Sequence, residues 1–541
     1  MLAADAQTEG QEGYVPAVEA QDEVPAIAAL VYGDVLVKLN ETTATDNCVV
    51  KGVIHGANNY NGSPLSDVTV HVYKTQGWEG HTVDKSDPDA TRTNTVYELK
   101  AVYGGGNEAT YDPVESADEK HKAHVIIDGC DLTSIETVYG GGNAASAPET
   151  YVEVNSCYEI GTVFGGGNGK DKLGDGSDNP GAHVGYKADG TTPYGTGVAL
   201  AELKGGTIHK AFGGSNTLGN VRTSATVTLN EPEGNTCPLC IEEVYGAGNE
   251  AAQDGTSNIN LGCLSYLKEI YGGAKNADID NDIELTIQSG RFDRVFGGNN
   301  LGGDIKGTIT VNIEETGCHP IIIGQLFGGG NKAGYSVEKI NKNRVDLDFT
   351  NEAANNYYKN FPKVNVKSFT SIGEIYGGGY GAAAVIVGNP HVIINECVGD
   401  NADVGITKDY EDEQGNTIQI SEWTGRWFNI DTGDNDTHTV WQPEHKAGAI
   451  GTIGNVFGGG NQAGVNGNTN VIIGTESTVL FKTPATKTVT ETVDGNEVTT
   501  VVATTDAERT HTVVGANITG NVYGGGNAAD VSGDTNVLIG K

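Results

Sequence analysis

Positive charge is scarce in this chain. It has 33 Lys and Arg against 71 Asp and Glu, a net charge of −38. Nucleic acids and anionic membranes are recognised through basic surfaces, so neither is an expected partner. Long apolar runs are also missing. No stretch approaches the ~18 residues of a membrane-crossing helix, and the chain reads as not membrane-spanning. The first residues, Met1-Leu2-Ala3-Ala4-Asp5-Ala6, lack the basic region and apolar stretch of a secretory signal. Met1 is the only methionine, which suggests an initiator set before a trimmed segment. Residues 1–28 carry Glu, Gln, Ala and Gly without periodicity and read as a disordered acidic N-terminal segment. Catalytic signatures are absent as well: there is no H-E-x-x-H and no G-x-S-x-G. Gly165 to Lys170 ends in Gly-Lys, but the leading Gly is missing and Asp171 stands where a phosphate loop needs Ser or Thr. The chain is therefore not expected to be an enzyme.

Glycine is present in excess. Its 79 copies have no three-residue period, so they are assigned to turns. They cluster in a repeat. Val102-Tyr103-Gly104-Gly105-Gly106-Asn107 returns as Val138-Tyr139-Gly140-Gly141-Gly142-Asn143 and as Val163-Phe164-Gly165-Gly166-Gly167-Asn168. Looser copies carry their aromatic at Phe212, Tyr245, Tyr271, Phe296, Phe327 and Tyr376. Clean copies return at Phe457 with Asn461 and at Tyr523 with Asn527, and a degenerate first copy holds His55 in the aromatic slot. Tyr139 and Phe164 are 25 residues apart, as are Tyr271 and Phe296. Periods of this size mark solenoids.

Each repeat has a strand of strict alternation upstream of its corner, such as Val68-Val70-Val72 or Ile283-Leu285-Ile287. A second short strand enters the corner and a third, very short one leaves it. No stretch shows convincing helical periodicity. The fold class is therefore all-β: a parallel β-helix or β-solenoid over 29–541, with about 12 rungs of ~25 residues, three short strands per rung. At ~4.8 Å per rung the rod is roughly 55 Å long. The last strand, Val537-Leu538-Ile539, has no polar cap after it, so a longer natural chain is expected.

The corner residues are assigned physical roles. Glycines reach backbone angles closed to other residues. Asn tolerates the left-handed region and, stacked rung on rung, could form an amide ladder. Alternation points the aromatic outward, away from Val102, Val138 and Val163, yet the five phenylalanines among these slots favour burial. Cys48, Cys130, Cys157, Cys237, Cys263, Cys318 and Cys397 share one rung position. A column of small buried thiols is the favoured reading; disulfides between neighbouring rungs are the alternative. Cys237-Pro-Leu-Cys240 lacks two of the four ligands a zinc site needs, with Cys263 the only obvious addition.

Insertions enter at 169–197, 334–360, 399–449 and 475–514, and loops on a rigid scaffold are where binding concentrates. The 399–449 insertion holds Trp423, Trp427 and Trp441 and reads as one hairpin, Ile418-Gln419-Ile420 against Trp427-Phe428-Asn429-Ile430. These tryptophans are the candidate ligand-binding residues, for glycans or for proteins of a host or neighbouring cell; packing onto the rod is the bland alternative and slightly favoured. The 475–514 insertion reads as a hairpin turning at Asp494-Gly495. No cofactor and no metal are expected. Calcium is the one cation considered, but Asp278-Ile279-Asp280-Asn281-Asp282 has Ile283 where an EF-hand loop needs Gly. Asp175, Asp178, Asp434 and Asp436 read as solvated acidic loops.

Gly454-Asn455-Val456-Phe457-Gly458-Gly459-Gly460-Asn461-Gln462-Ala463-Gly464 with Asn468-Thr469-Asn470-Val471-Ile472-Ile473 resembles the repeats of large Gly-rich secreted or cell-surface proteins of Bacteroidota, which are adhesin-like. The resemblance covers about residues 30–541. It implies an extracellular or outer-membrane-associated location, plausible export by the type IX system, contact with outer-membrane secretion or surface components, and a structural or adhesive role. Two alternatives stand beside it. Parallel β-helices host polysaccharide lyases and hydrolases that work with paired carboxylates, and the chain could be export cargo captured with its machinery.

Overall fold

The computed structural model describes residues 29–40, 50, 52–75, 97–114, 120–169, 172–173, 176–179, 181–232, 234–314, 319–341, 352–394, 396–397, 407–411, 417–421, 426–431, 437–442, 451–474, 478–493, 496–514 and 517–540. The disordered segment expected at 1–28 and the sites at Asp175, Trp423, Asp434 and Asp436 lie outside these residues.

Two parallel sheets of 13 strands run the length of the rod. The first is built from the alternating segments, from Val35–Leu39 to Thr535–Ile539. The second is built from the segments that enter the corners, from Val53–His55 to Asn517–Ile518 and Val522–Tyr523. The chain visits them in turn, so each strand pairs in register with its equivalent one rung away. Val68↔Ala123 and Tyr139↔Phe164 are examples. This is the right geometry for a period-two pattern. Val70, Val125 and Val152 from one sheet meet Val102, Val138 and Val163 from the other in a single continuous core, all with no exposed surface.

The third strand of the rung is reduced. Among the described residues only Tyr335–Ser336, Ile386–Val387 and Val465–Asn466 form a sheet there. Elsewhere that face is joined by single bridges such as Ala147↔Val184↔Val221 and Gln253↔Ile279↔Ile305. One apolar residue pointing inward per rung suffices to close the triangle, so a longer strand is not required. Helix was not expected, yet Glu352–Lys359 is helical, after a 3-10 turn at Val337–Lys339. The 399–449 insertion differs from the single hairpin expected. Thr407–Glu411 pairs with Thr417–Ser421, and Arg426–Asp431 with Thr437–Gln442, giving two antiparallel pairs. In the 475–514 insertion, Thr478–Val493 pairs antiparallel with Asn496–Val514.

The corners correct the reason assigned to glycine. None of Gly104, Gly105, Gly106 or their equivalents at 140–142 and 165–167 has a positive φ. The constraint is the neighbouring rung. A Cβ on Gly104 would lie 2.3 Å from the carbonyl oxygen of Gly140, and one on Gly140 would lie 2.3 Å from that of Gly165. Glycine lets the corners stack backbone to backbone, and the hydrogen-bond ladder continues through them. Gly104 N donates to Tyr139 O at 3.0 Å and Gly105 N to Gly141 O at 3.1 Å. Asn does not occupy the left-handed region either. In the last two complete corners that conformation falls one residue later, at Gln462 (φ 61°) and Ala528 (φ 53°).

Candidate functional site

The corner aromatics form an unbroken stack from His55 through Tyr103, Tyr139, Phe164, Phe212 and onward to Phe457 and Tyr523. Ring centroids are 4.6 Å apart for His55–Tyr103, 5.1 Å for Tyr139–Phe164 and 4.7 Å for Tyr376–Phe457, with rings nearly parallel. From Tyr103 to Phe457 they are buried, but in a cluster separate from the rod core. Outward direction and burial are therefore both true. The side chains point out of the wall, and the Asn after the corner folds back over them. Asn300 Nδ2 donates to Tyr245 Oη at 2.6 Å, and the Tyr245 hydroxyl donates to Glu243 at 2.8 Å. Tyr271 and Tyr376 likewise donate to the glutamate two residues back, Glu269 and Glu374, at 2.7 and 2.9 Å. Burial pushes the Tyr103 phenol up to about 12, and moves those of Tyr139, Tyr245 and Tyr271 upward as well. Burial lowers His55 to about 4. These groups are neutral and packed, and none is poised for proton transfer near neutral pH.

The Asn column is a directional ladder. Asn107 Nδ2 donates to Asn59 Oδ1, Asn143 to Asn107, Asn168 to Asn143, Asn216 to Asn168 and Asn249 to Asn216, each at 2.8 Å. The equivalent position in the next rung is Lys275, and the run stops. It resumes with Asn331 donating to Asn300 at 3.0 Å, stops again where Tyr380 replaces Asn, and resumes with Asn527 donating to Asn461 at 3.4 Å. At both breaks the last acceptor, Asn249 Oδ1 and Asn331 Oδ1, is buried with no hydrogen-bond partner.

The cysteine column is not uniformly thiol. Cys130 and Cys237 form a disulfide with Cα atoms 6.0 Å apart. Their rungs are not neighbours, because those ending at Phe164 and Phe212 lie between. The rung ending at Phe212 carries Gly205-Gly206 at this level, where a Cβ on Gly205 would lie 2.5 Å from Cys237 O and one on Gly206 2.3 Å from Cys157 Sγ. The Cys237 sulfur lies 3.6 Å from Cys157 O. Cys157 keeps a buried thiol, 3.6 Å from Thr207 O. Cys263 is also disulfide-bonded, so neither Cys237 nor Cys263 offers a thiolate for zinc.

The tryptophans are brought together only in part. Trp427 and Trp441 are directly opposite each other in the backbone register of their strand pair; Trp423 lies outside the described residues. The acidic run takes part in rung stacking. Asp278 accepts from Asp304 N at 2.8 Å, Asp282 from Thr308 N at 2.6 Å, and Asp280 pairs with Lys306 at 2.7 Å. Asp178 pairs with Lys172. Among the described residues no three His, Cys, Asp or Glu are placed to hold one metal ion.

Sequence reasoning missed the clusters of titratable groups, among them His209 between Glu159 and Glu242, at 2.8 and 2.9 Å, and one on the first sheet. His124 stacks on Tyr151 at 4.5 Å, Tyr151 donates to Glu202, and Lys204 pairs with both Glu153 and Glu202, at 2.8 and 3.2 Å. Burial raises Glu153, but Lys204 and His124 outweigh it and hold the carboxyl below its usual range. A glycosidase needs one carboxylic acid kept protonated opposite a second carboxylate. Here the two carboxylates share a lysine instead, and the register Glu153↔Glu202 makes them neighbours along one column. The signal was available only in hindsight, because the insertion between Phe164 and Val198 hides the register in the sequence.

No family model, no curated protein and no solved structure matches this chain.

Proposed function

We propose that the chain is a non-enzymatic, exported cell-surface rod of structural or adhesive role, holding its insertions away from the surface as contacts for glycans or surface proteins. The observation that carries this reading is the fate of the polar groups. Corner amides and the acidic run bond one rung to the next, and the Tyr245 and Tyr271 hydroxyls accept from the amides of later rungs, Asn300 and Asn331, as a stiff spacer requires. The disulfide fits an oxidising exterior. The test is a glycan array and a surface-protein pull-down with the full chain and with Trp423, Trp427 and Trp441 alanine variants. Binding that the variants lose supports presentation by the insertion, and binding indifferent to all three counts against it.

A carbohydrate-active enzyme is the second reading; the His124–Lys204 cluster is where it would be tested, although its two carboxylates share a lysine. Turnover on a polysaccharide panel that Glu153→Gln and Glu202→Gln both abolish would establish it in place of the first.

A further inference from the structure

We propose that a concave site between Leu301, Lys332 and Lys339 binds a small carboxylated sugar of the hexuronate class. The cavity, about 430 Å³, spans three successive rungs just past the corners of Phe296, Phe327 and Tyr376, and small-molecule sites typically run ~300–1,000 Å³. Small residues line it: Gly302 and Gly303 of one rung and Ala333 and Gly334 of the next, and Gly303 holds φ 86°, with a Cβ there 2.0 Å from Ala277 O of the preceding rung. A Cβ on Gly334 would lie 3.0 Å from Val385 O. The short 3-10 turn of the 334–360 insertion then brings Lys339 back over the opening, where it pairs with Asp304.

The lining has two characters. Leu301, 45% exposed, and the half-buried Val387 give an apolar wall. Lys332 gives an exposed ammonium that forms no ion pair among the described residues, whereas Lys204, Lys306 and Lys339 are all paired. In a chain of net charge −38 an unneutralised cation beside an apolar wall is a specific place for a carboxylate, held by a charge-assisted hydrogen bond. A hexuronate offers both parts: a C–H face for Leu301 and a carboxylate for Lys332. A neutral sugar lacks the second and sulfate lacks the first. The rod contains its own control. Asn461-Gln462-Ala463-Gly464 repeats Asn331-Lys332-Ala333-Gly334 with Gln in place of Lys. The site is separate from the tryptophan-bearing insertion, so its test is independent of that reading.

The experiment titrates the full chain with glucuronate, galacturonate, glucose and sulfate by ligand-observed NMR and calorimetry. The wild type is compared with Lys332→Gln and Leu301→Ser, both exposed changes whose folding is checked by circular dichroism. Uronate binding that Lys332→Gln weakens about tenfold or more, the loss of one charged hydrogen bond, with Leu301→Ser also weaker and glucose and sulfate far weaker than uronate, is the expected result. Three outcomes overturn the proposal: no uronate binding to the folded wild type at millimolar concentration, sulfate binding as tightly as uronate, or uronate binding unchanged in Lys332→Gln.

Discussion

The rungs below Tyr271 and those above it use the same corner differently. From Asn59 to Asn249 every amide has a partner above or below it, while between Lys275 and Tyr380 the ladder is cut twice. The aromatic stack crosses the same stretch without interruption, with Tyr245–Tyr271 at 4.8 Å and Tyr271–Phe296 at 4.9 Å. The contrast shows what each column depends on. Ring stacking has no direction, so Phe, Tyr or His can fill a slot at little cost. An amide ladder has a donor end and an acceptor end, so one replaced residue strands the acceptor beneath it.

The largest effect should be the same on both sides of the break. Phe164→Ala and Phe296→Ala should each cost about 3–5 kcal/mol, as buried Phe truncations do, measured by denaturant melts. A much smaller cost at Phe296 would mean that the upper stack is loose. The amides should differ. Asn168→Ala strands a donor above and an acceptor below, at about 1–3 kcal/mol for each buried group, whereas Asn249→Ala strands only the Asn216 acceptor below it, its own acceptor having no partner, and should cost clearly less. Equal costs would refute the directional ladder. Lys275→Asn should rejoin the two runs and stabilise by about 1 kcal/mol, a typical net hydrogen bond; Tyr380→Asn should yield less, because Tyr380 also packs edge-on to Phe327 at 5.6 Å.

The smallest and most local effect concerns pH at the first rung. His55 is held neutral by burial, with its pKa lowered from 6.5 to about 4. As pH falls below 6.5 the unfolded rung takes up a proton that the folded rung does not, so stability is lost progressively until the folded ring also protonates near 4. Hydrogen exchange of Val53–His55 should rise over that window, and His55→Tyr should remove the change. Exchange that is flat with pH in the wild type would show that the ring is solvated.

Much of this architecture was readable from residue spacing. The alternating strands, the corner and the equivalence of Tyr103, Tyr139 and Phe164 all follow from a short period repeated many times. Even the ladder breaks are visible, since Lys275 and Tyr380 stand four residues after their aromatics where Asn107 and Asn143 stand after theirs. Their cost was not visible, because it depends on which way the amides point. The cysteine column was visible too, but not its pairing. Cys130 pairs with Cys237 across two intervening rungs, the second of which carries Gly205-Gly206 at that level.

The sequence by itself determined a parallel β-solenoid, because a hydrophobic pattern of period two that recurs in step with its corners can be buried in no simpler way. Tertiary structure decided the rest. Glycine is required by the approach of the next rung at 2.3 Å and not by its own φ. The aromatics are buried outside the wall and not within it. Lys332, in no ion pair among the described residues, lines a cavity spanning three rungs. Each of these is a relation between rungs, set by which residues of separate repeats come to lie side by side, and a single repeat read alone carries none of them.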